Sequence, residues 1–302
     1  MDTANQSRLD EQYRKLVTAL KLQGKAKKTI ESYSFALRRM GAFFDRCPDD
    51  LTPEDLTRYF AHLVDTRSWS VIKIERNGVR AYYQFVLGQA LPWVKFLRPP
   101  RVRHLPDILT RDEVARIIRS TEQFRFRAFW FITYSMGLRL RETLSLTVAD
   151  IDSERMLLHV RNAKGQRDRF VVMPALALQV LRMLWKEHRD PNLLFPSRQA
   201  PKGVPAARHM DAGATQKAFA QVLRSCGIRK KVSIHSLRHS YATHLIEAGL
   251  NLRNVQEQLG HASPDTTARY VRMTEVINHD CRARVNAVVS PLAALFVPEQ
   301  RA

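Results

Sequence analysis

Between Leu97 and Pro106 the chain reads LRPPRVRHLP, with three prolines and with Arg98, Arg101 and Arg103 among them. A proline lacks the amide hydrogen a helix needs, and its ring clashes with the preceding turn, so no helix crosses this run. The chain is therefore expected to fold as two bodies joined by an extended connector. Its 302 residues fit that division, because domains cluster near ~100–150 residues. The expected layout is a helical domain over residues 1–97, a basic Pro-rich linker over 98–108 and a second domain over 109–302.

The first hundred residues carry helical periodicity. Leu16 and Leu20, then Tyr33, Leu37, Met40 and Phe44, recur at the spacing of one helix face. Thr52-Pro53-Glu54-Asp55 is a helix start, with a capping Thr, Pro at the first helical position and acids at the positive end of the dipole. Leu56, Tyr59, Phe60 and Leu63 follow on one face, and a further helix is expected over residues 79–87. Four or five helices would make up this domain. Lys25, Lys27 and Lys28 cluster before the second helix, where they make either a solvated face or a phosphate contact.

The second part opens on Thr110 and Glu113, the spacing of a capping box, with Val114, Ile117 and Ile118 as the buried stripe. RAFWFITYSMGLRL reads as a core helix. The one clear β signal is MLLHV and RFVVM flanking residues 161–168, a hairpin with Lys164-Gly165 near its tip. Helix is expected again after Pro174 through Trp185, and residues 196–213 read as a long loop; Ser236 can then cap a helix running to Ala248, closed by Gly249, and another helix is expected to end at Leu259-Gly260. The fold class expected is mainly α with a small β-hairpin or sheet.

Charge narrows the partners. The formal net charge is +20, with an excess of +6 over residues 1–100 and +14 over 101–302. Both bodies are basic, as expected for contact with a polyanion such as nucleic acid or an anionic membrane surface. No apolar stretch approaches the ~18 residues of a spanning helix, and the N-terminus lacks a hydrophobic signal segment. Cys47, Cys226 and Cys281 are odd in number and scattered, so no disulfide framework is expected and a reducing cytoplasm is the natural setting.

Four segments concentrate residues able to do chemistry: GLRLRETL at 137–144, the hairpin lysine, IHSLRHSYATHL at 234–245 and LGHASPDTTARY at 259–270. Singly, each has a plain structural reading: Arg139 as a surface arginine, Tyr270 as a packing residue, the histidines as satisfied polar groups. His235 and His239 also have zinc-ligand spacing, but there is no H-E-x-x-H motif, and Arg238 between them would repel a cation.

Together these segments resemble the tyrosine recombinases, the phage-integrase family of site-specific DNA recombinases. A G-L-R-x-x-E context is met by Gly137, Leu138, Arg139 and Glu142. A hairpin lysine is met by Lys164. An H-x-L-R-H box is met by His235, Leu237, Arg238 and His239. An L-G-H box is met by Leu259, Gly260 and His261, and Tyr270 stands nine residues beyond that histidine. The resemblance implies a two-domain recombinase with a helical SAM-like core-binding domain and a mixed, mostly helical catalytic domain. It implies Arg139, Lys164, His235, Arg238, His261 and Tyr270 as catalytic residues and Glu142 as a supporting one. DNA contact is expected from Lys25, Lys27, Lys28, Arg101 and Arg103.

The residue types suit the reaction. A phosphodiester under attack gains negative charge on its non-bridging oxygens, which forked arginines stabilise. A tyrosine hydroxyl can store the bond energy covalently, but its ordinary pKa of ~10 calls for a base such as His235 or His261. The leaving 5′-hydroxyl needs a proton, and Lys164 is the expected acid. The family's 3′-phosphotyrosyl link is resolved by a second 5′-hydroxyl, so no cofactor, metal or ATP is expected. The remaining alternatives are relaxation of DNA like a type IB topoisomerase and an idle architectural DNA-binding protein.

The layout resembles the simple Xer, integron and transposon-type enzymes, with no room for an arm-binding domain. The resemblance further implies double-stranded DNA with paired half-sites as substrate, a homotetramer on it, and possible accessory DNA-bending proteins, in the cytoplasm at the nucleoid. Leu292, Leu295, Phe296 and Val297 in the tail are expected either to close the chain's own core or to dock on a neighbouring protomer.

Overall fold

The computed structural model describes residues 3–89, 107–161, 168–197 and 201–260. The chain divides into two compact units, residues 1–103 and 104–302. Lys164, His261, Tyr270, Arg101, Arg103 and the tail leucines lie outside the described residues.

The first unit contains helices α1 (Thr3–Leu22), α2 (Lys27–Phe44), α3 (Pro53–Thr66) and α4 (Trp69–Phe85). The start of α3 forms as its sequence dictates: the Thr52 hydroxyl accepts from the Asp55 amide and the Asp55 carboxylate accepts from the Thr52 amide. Leu16, Leu20, Leu37, Met40, Leu56, Phe60, Val79 and Tyr82 fill one core, where each large apolar side chain contributes ~1.5–3 kcal/mol by leaving water. Helix α4 begins ten residues before the expected position at Val79. Its early turns carry Lys73, Glu75 and Arg76, and its buried face includes Glu75 and Gly78, so the apolar stripe is interrupted. Gly78 is required there, since a Cβ would lie 2.7 Å from Ala36 Cβ and 2.8 Å from the Tyr33 carbonyl oxygen.

The second unit runs α5 (Arg111–Arg119), α6 (Phe124–Ser135), α7 (Leu140–Leu144), β1 (Ile151–Asp152), β2 (Leu157–Val160), β3 (Arg169–Val172), α8 (Ala175–His188), α9 (Ala212–Ser225), α10 (Ile234–Glu247) and α11 (Leu252–Leu259). The strands form one antiparallel sheet in the order β1-β2-β3, with Leu157 opposite Val172 and Val160 opposite Arg169. The expected hairpin is β2-β3; β1, two residues long, is an addition that no sequence period signals. The apolar run after Arg127 does not form one helix. It breaks after Ser135, and α7 restarts at Leu140.

Helix α10 is buried nearly all round, by Ile234, Ser236, Leu237, Arg238, Ser240, Ala242, Thr243 and His244. Its polar members are satisfied locally. Ser240 donates to the Ser236 carbonyl and accepts from the Leu109 amide, and the Tyr134 hydroxyl pairs with His244 Nδ1 at 2.8 Å. The helix starts at Ser233 rather than at Ser236. The Ser236 hydroxyl instead accepts from the Ser233 amide, which puts His235 in the first turn. Among the described residues no helix is long and apolar enough to cross a membrane.

Candidate active site

Arg139 stands at the N-cap of α7, after a reversal at Gly137. Gly137 has φ +60°, and a Cβ on it would lie 2.5 Å from Tyr241 Cδ1 and 2.6 Å from Leu259 Cδ2. Only glycine fits both the backbone and the space. The reversal presents the Arg139 side chain at one-quarter exposure, while its neighbour Leu138 is fully buried.

Glu142 lies one turn later, 7% exposed, and three guanidinium groups surround it. Its Oε1 accepts from Arg139 Nη1 at 2.6 Å and Arg169 Nη1 at 3.0 Å. Its Oε2 accepts from the Arg139 amide at 2.9 Å and Arg169 Nη2 at 2.8 Å. Arg238 Nη1 approaches Oε2 to 3.8 Å. Burial alone would raise this carboxyl's pKa, but the bidentate fork of Arg169, followed by the amide and charge of Arg139, holds it down to about 2. Glu142 is thus a fixed anion that orients cations around it.

Arg238 is 1% exposed. It donates Nη1 to the Gly137 carbonyl and Nη2 to the Leu259 carbonyl, each at 2.6 Å. One side chain therefore ties the segment before Arg139 to the segment before His261, across 101 and 21 residues of sequence. Helix α11 ends there, with Gly260 as its left-handed cap at φ +61°.

His235 is exposed at the start of α10 and its ring meets that of His239 edge to face at 4.5 Å. Partial withdrawal from water, then the charges of Arg238 and Arg139, push its imidazole below the ordinary value against the opposing pull of Glu142. The shift favours the neutral form of the ring. Although His235 and His239 adjoin, no group of three or more His, Cys, Asp or Glu side chains among the described residues is placed to hold a metal.

The structure thus brings Arg139, Glu142, His235 and Arg238 together. Lys25, Lys27 and Lys28 are exposed; Lys25 precedes α2, and Lys27 and Lys28 open it rather than standing before it. Sequence reasoning missed Arg169. No motif marks it, and its partners are 27 and 89 residues away. It also missed Asp150, a buried carboxylate that accepts from Arg161 Nε at 2.6 Å and from the Thr147 amide and hydroxyl.

Comparison with known proteins bears on this arrangement. The Phage integrase family pattern matches residues 107–276, more than half of the chain, and a Phage integrase N-terminal SAM-like domain matches residues 13–93. The chain belongs to the phage integrase family. This recombinase is 34% identical over 243 residues to the putative integrase/recombinase y4qK of Sinorhizobium fredii, covering 78% of this chain and 77% of that one. It is 33% identical over 269 residues to the tyrosine recombinase XerA of Thermococcus kodakarensis, covering 85% and 89%. It shares its fold with a lambda integrase tetramer bound to a Holliday junction, with a TM-score of 0.70 at 16% identity, over 87% and 76% of the two chains. It is an enzyme of site-specific DNA recombination, and the helical SAM-like domain followed by a catalytic domain is the family's architecture.

Proposed function

We propose that the recombinase cuts and rejoins duplex DNA through a 3′-phosphotyrosyl intermediate with Tyr270 as nucleophile. The observation that carries this reading is the double carbonyl bond of Arg238, which ties the Gly137 carbonyl, two residues before Arg139, and the Leu259 carbonyl, two residues before His261 in sequence, to the helix bearing His235. The Tyr270 oxygen attacks the scissile phosphorus, and its proton passes to His235 or His261. Arg139 stabilises the charge that builds on the non-bridging oxygens. Arg238 adds its positive charge from beneath and holds the pocket walls. Lys164 protonates the departing 5′-oxygen. A 5′-hydroxyl of a second strand then attacks the phosphotyrosyl phosphorus and releases Tyr270. Bonds broken equal bonds made, so no ATP and no metal enter the balance.

In this reading the substrate is double-stranded DNA with paired half-sites. The cation cluster Lys25, Lys27 and Lys28, with Arg101 and Arg103, contacts backbone phosphates. Four copies assemble on two such sites, as in the lambda integrase tetramer, at the nucleoid in the cytoplasm and with accessory DNA-bending proteins where a site needs them.

The test lets the protein select its own target. Incubation with a randomised duplex pool, denaturation in SDS and recovery of protein-linked DNA should enrich one sequence with two inverted half-sites. Tyr270→Phe should bind the recovered duplex and form no adduct. An SDS-resistant adduct with Tyr270→Phe overturns the nucleophile. Strand relaxation with no enriched sequence overturns site-specific exchange.

A further inference from the structure

Arg161 and Arg169, on either side of the stretch that carries Lys164, each pair with a buried carboxylate. On one side Arg161 pairs with Asp150, itself 5% exposed. On the other side the first residue of β3, Arg169, grips Glu142 with both terminal nitrogens and donates Nε to the Gln258 carbonyl at 3.2 Å. Gln258 returns the contact, its Oε1 accepting from the Val172 amide of β3 at 3.2 Å. The Arg169 side chain is 9% exposed. It packs so closely under Gly260 that a Cβ there would fall 2.6 Å from Arg169 Cδ.

We infer that Arg169 is a positioning residue of the recombination reaction: through Glu142 it orients Arg139, and through Gln258 it sets β3, the strand that follows Lys164 in sequence, against the end of α11 that precedes His261. The inference rests on the catalytic roles proposed above for those three residues. Arg169 does not reach the phosphate itself, since its forked face and its Nε are turned to Glu142 and Gln258.

The geometry accounts for why an arginine is needed. Glu142 would otherwise be a buried carboxylate shared between Arg139 and a more distant Arg238, free to draw Arg139 inward. With Arg169 on both of its oxygens, Glu142 holds Arg139 through one oxygen and the Arg139 amide through the other. The side chain is then fixed relative to its own backbone. A lysine in place of Arg169 offers one point charge in place of a fork, so it could neutralise Glu142 but not also hold the Gln258 carbonyl in the same geometry.

The test uses the duplex recovered from the randomised pool, so that wild-type adduct formation reports on the proposed function independently of Arg169. Single-turnover cleavage and half-site affinity are measured for Arg169→Met, Arg139→Ala and the double variant. Arg169→Met should cleave about 100-fold more slowly, the size expected when reacting groups are displaced by about an ångström, while affinity holds. The double variant should be slower than Arg139→Ala by less than the full factor lost in Arg169→Met, because the path through Glu142 ends at Arg139 and only the path through Gln258 remains. By NMR, the Glu142 carboxyl should titrate well above its wild-type value of about 2 in Arg169→Met. Should Arg169→Met fail to fold, Arg169→Lys carries the rate and affinity measurements with the same expected outcomes, while its retained charge keeps the Glu142 carboxyl low. Cleavage at the wild-type rate overturns the inference. So does a loss of affinity equal to the loss of rate, which marks a phosphate anchor. Multiplying losses in the double variant would mark general stabilisation and overturn it too.

Discussion

Each unit buries a glutamate, and the two glutamates are held in opposite states. Glu75 in α4 is 1% exposed; Arg39, whose own side chain is half in water, pairs with it, and the charge of Arg67 acts from farther off. Burial there outweighs Arg39 and the Tyr59 hydroxyl, and the carboxyl's pKa is raised. Glu142 in α7 is buried as well, yet its pKa is depressed to about 2 because Arg169 and Arg139 close on it directly. Residue type is the same and both side chains are buried. The number and dryness of the guanidinium partners decide the sign. Among the described residues the first unit buries only Glu75 of its charged side chains, whereas the second buries Glu142, Asp150, Asp190 and Arg238. Glu142 and Arg238 approach each other in the site, whereas Asp150 and Asp190 hold loop amides and, for Asp150, Arg161.

The sharpest way to break this contrast is to remove one arginine from each glutamate. Arg139→Ala should slow cleavage by ~10²–10³, or ~3–4 kcal/mol of lost transition-state stabilisation, with DNA affinity little changed. Arg39→Ala should destabilise the first unit and leave the cleavage rate of the bound complex as it was. Single-turnover cleavage at saturating protein checks both. A loss of rate with Arg39→Ala, or none with Arg139→Ala, would sink the contrast.

A second test uses pH. A depressed folded pKa gives stability that is full above the unfolded value and lost as pH falls through the folded one. For Glu142 the window runs from about 4.5 down to about 2, with a contribution on the order of 3 kcal/mol. A raised folded pKa works the other way: the contribution of Glu75 is full below the ordinary carboxyl value and lost as pH rises through its folded one. Calorimetry from pH 3 to 7 should therefore find that Glu142→Gln lacks the acid-side loss of the wild type. Glu75→Gln should gain stability relative to wild type as pH rises. Slopes of the same sign for both variants would refute the opposite states.

What the sequence made legible was what local chemistry determines. Thr52 and Thr110 cap their helices through Asp55 and Glu113, three residues on. The β2-β3 hairpin follows from alternation around a turn, and Gly260 ends α11 as a C-terminal cap does. Pattern and structure part where tertiary packing overrides the pattern. The start of α4 is hidden because its buried face uses Glu75 and Gly78 in place of apolar residues. The α10 cap falls at Ser233 and not at Ser236. Both serines precede the same apolar run, and only the fold decides which one is left outside the helix. In the site, Arg139, Glu142, His235 and Arg238 could be picked out because their motifs together resemble those of the tyrosine recombinases. What could not be read is that Arg238 turns inward to two carbonyls, or that Arg169 closes on Glu142, because both contacts join segments far apart in the chain.

The smallest expected effects come from two glycines with nearly the same backbone. Gly24, between α1 and α2, has φ +64°, and Gly260, at the end of α11, has φ +61°. An alanine at either position carries the left-handed strain of ~1–2 kcal/mol. Around Gly24 a new Cβ would meet nothing within 4 Å, so Gly24→Ala should lower stability by that strain alone and leave cleavage untouched. At Gly260 the same Cβ would press on Arg169 Cδ and, at 3.1 Å, on Nε. Arg169 can yield only by loosening its grip on Glu142 or on the Gln258 carbonyl. Gly260→Ala should accordingly lose somewhat more stability than Gly24→Ala and should also slow cleavage, by less than Arg169→Met does. Thermal melts beside single-turnover rates measure both quantities on the same samples. Equal melting losses with wild-type cleavage in Gly260→Ala would mean that Arg169 can move without consequence, and its positioning role would fall with that result.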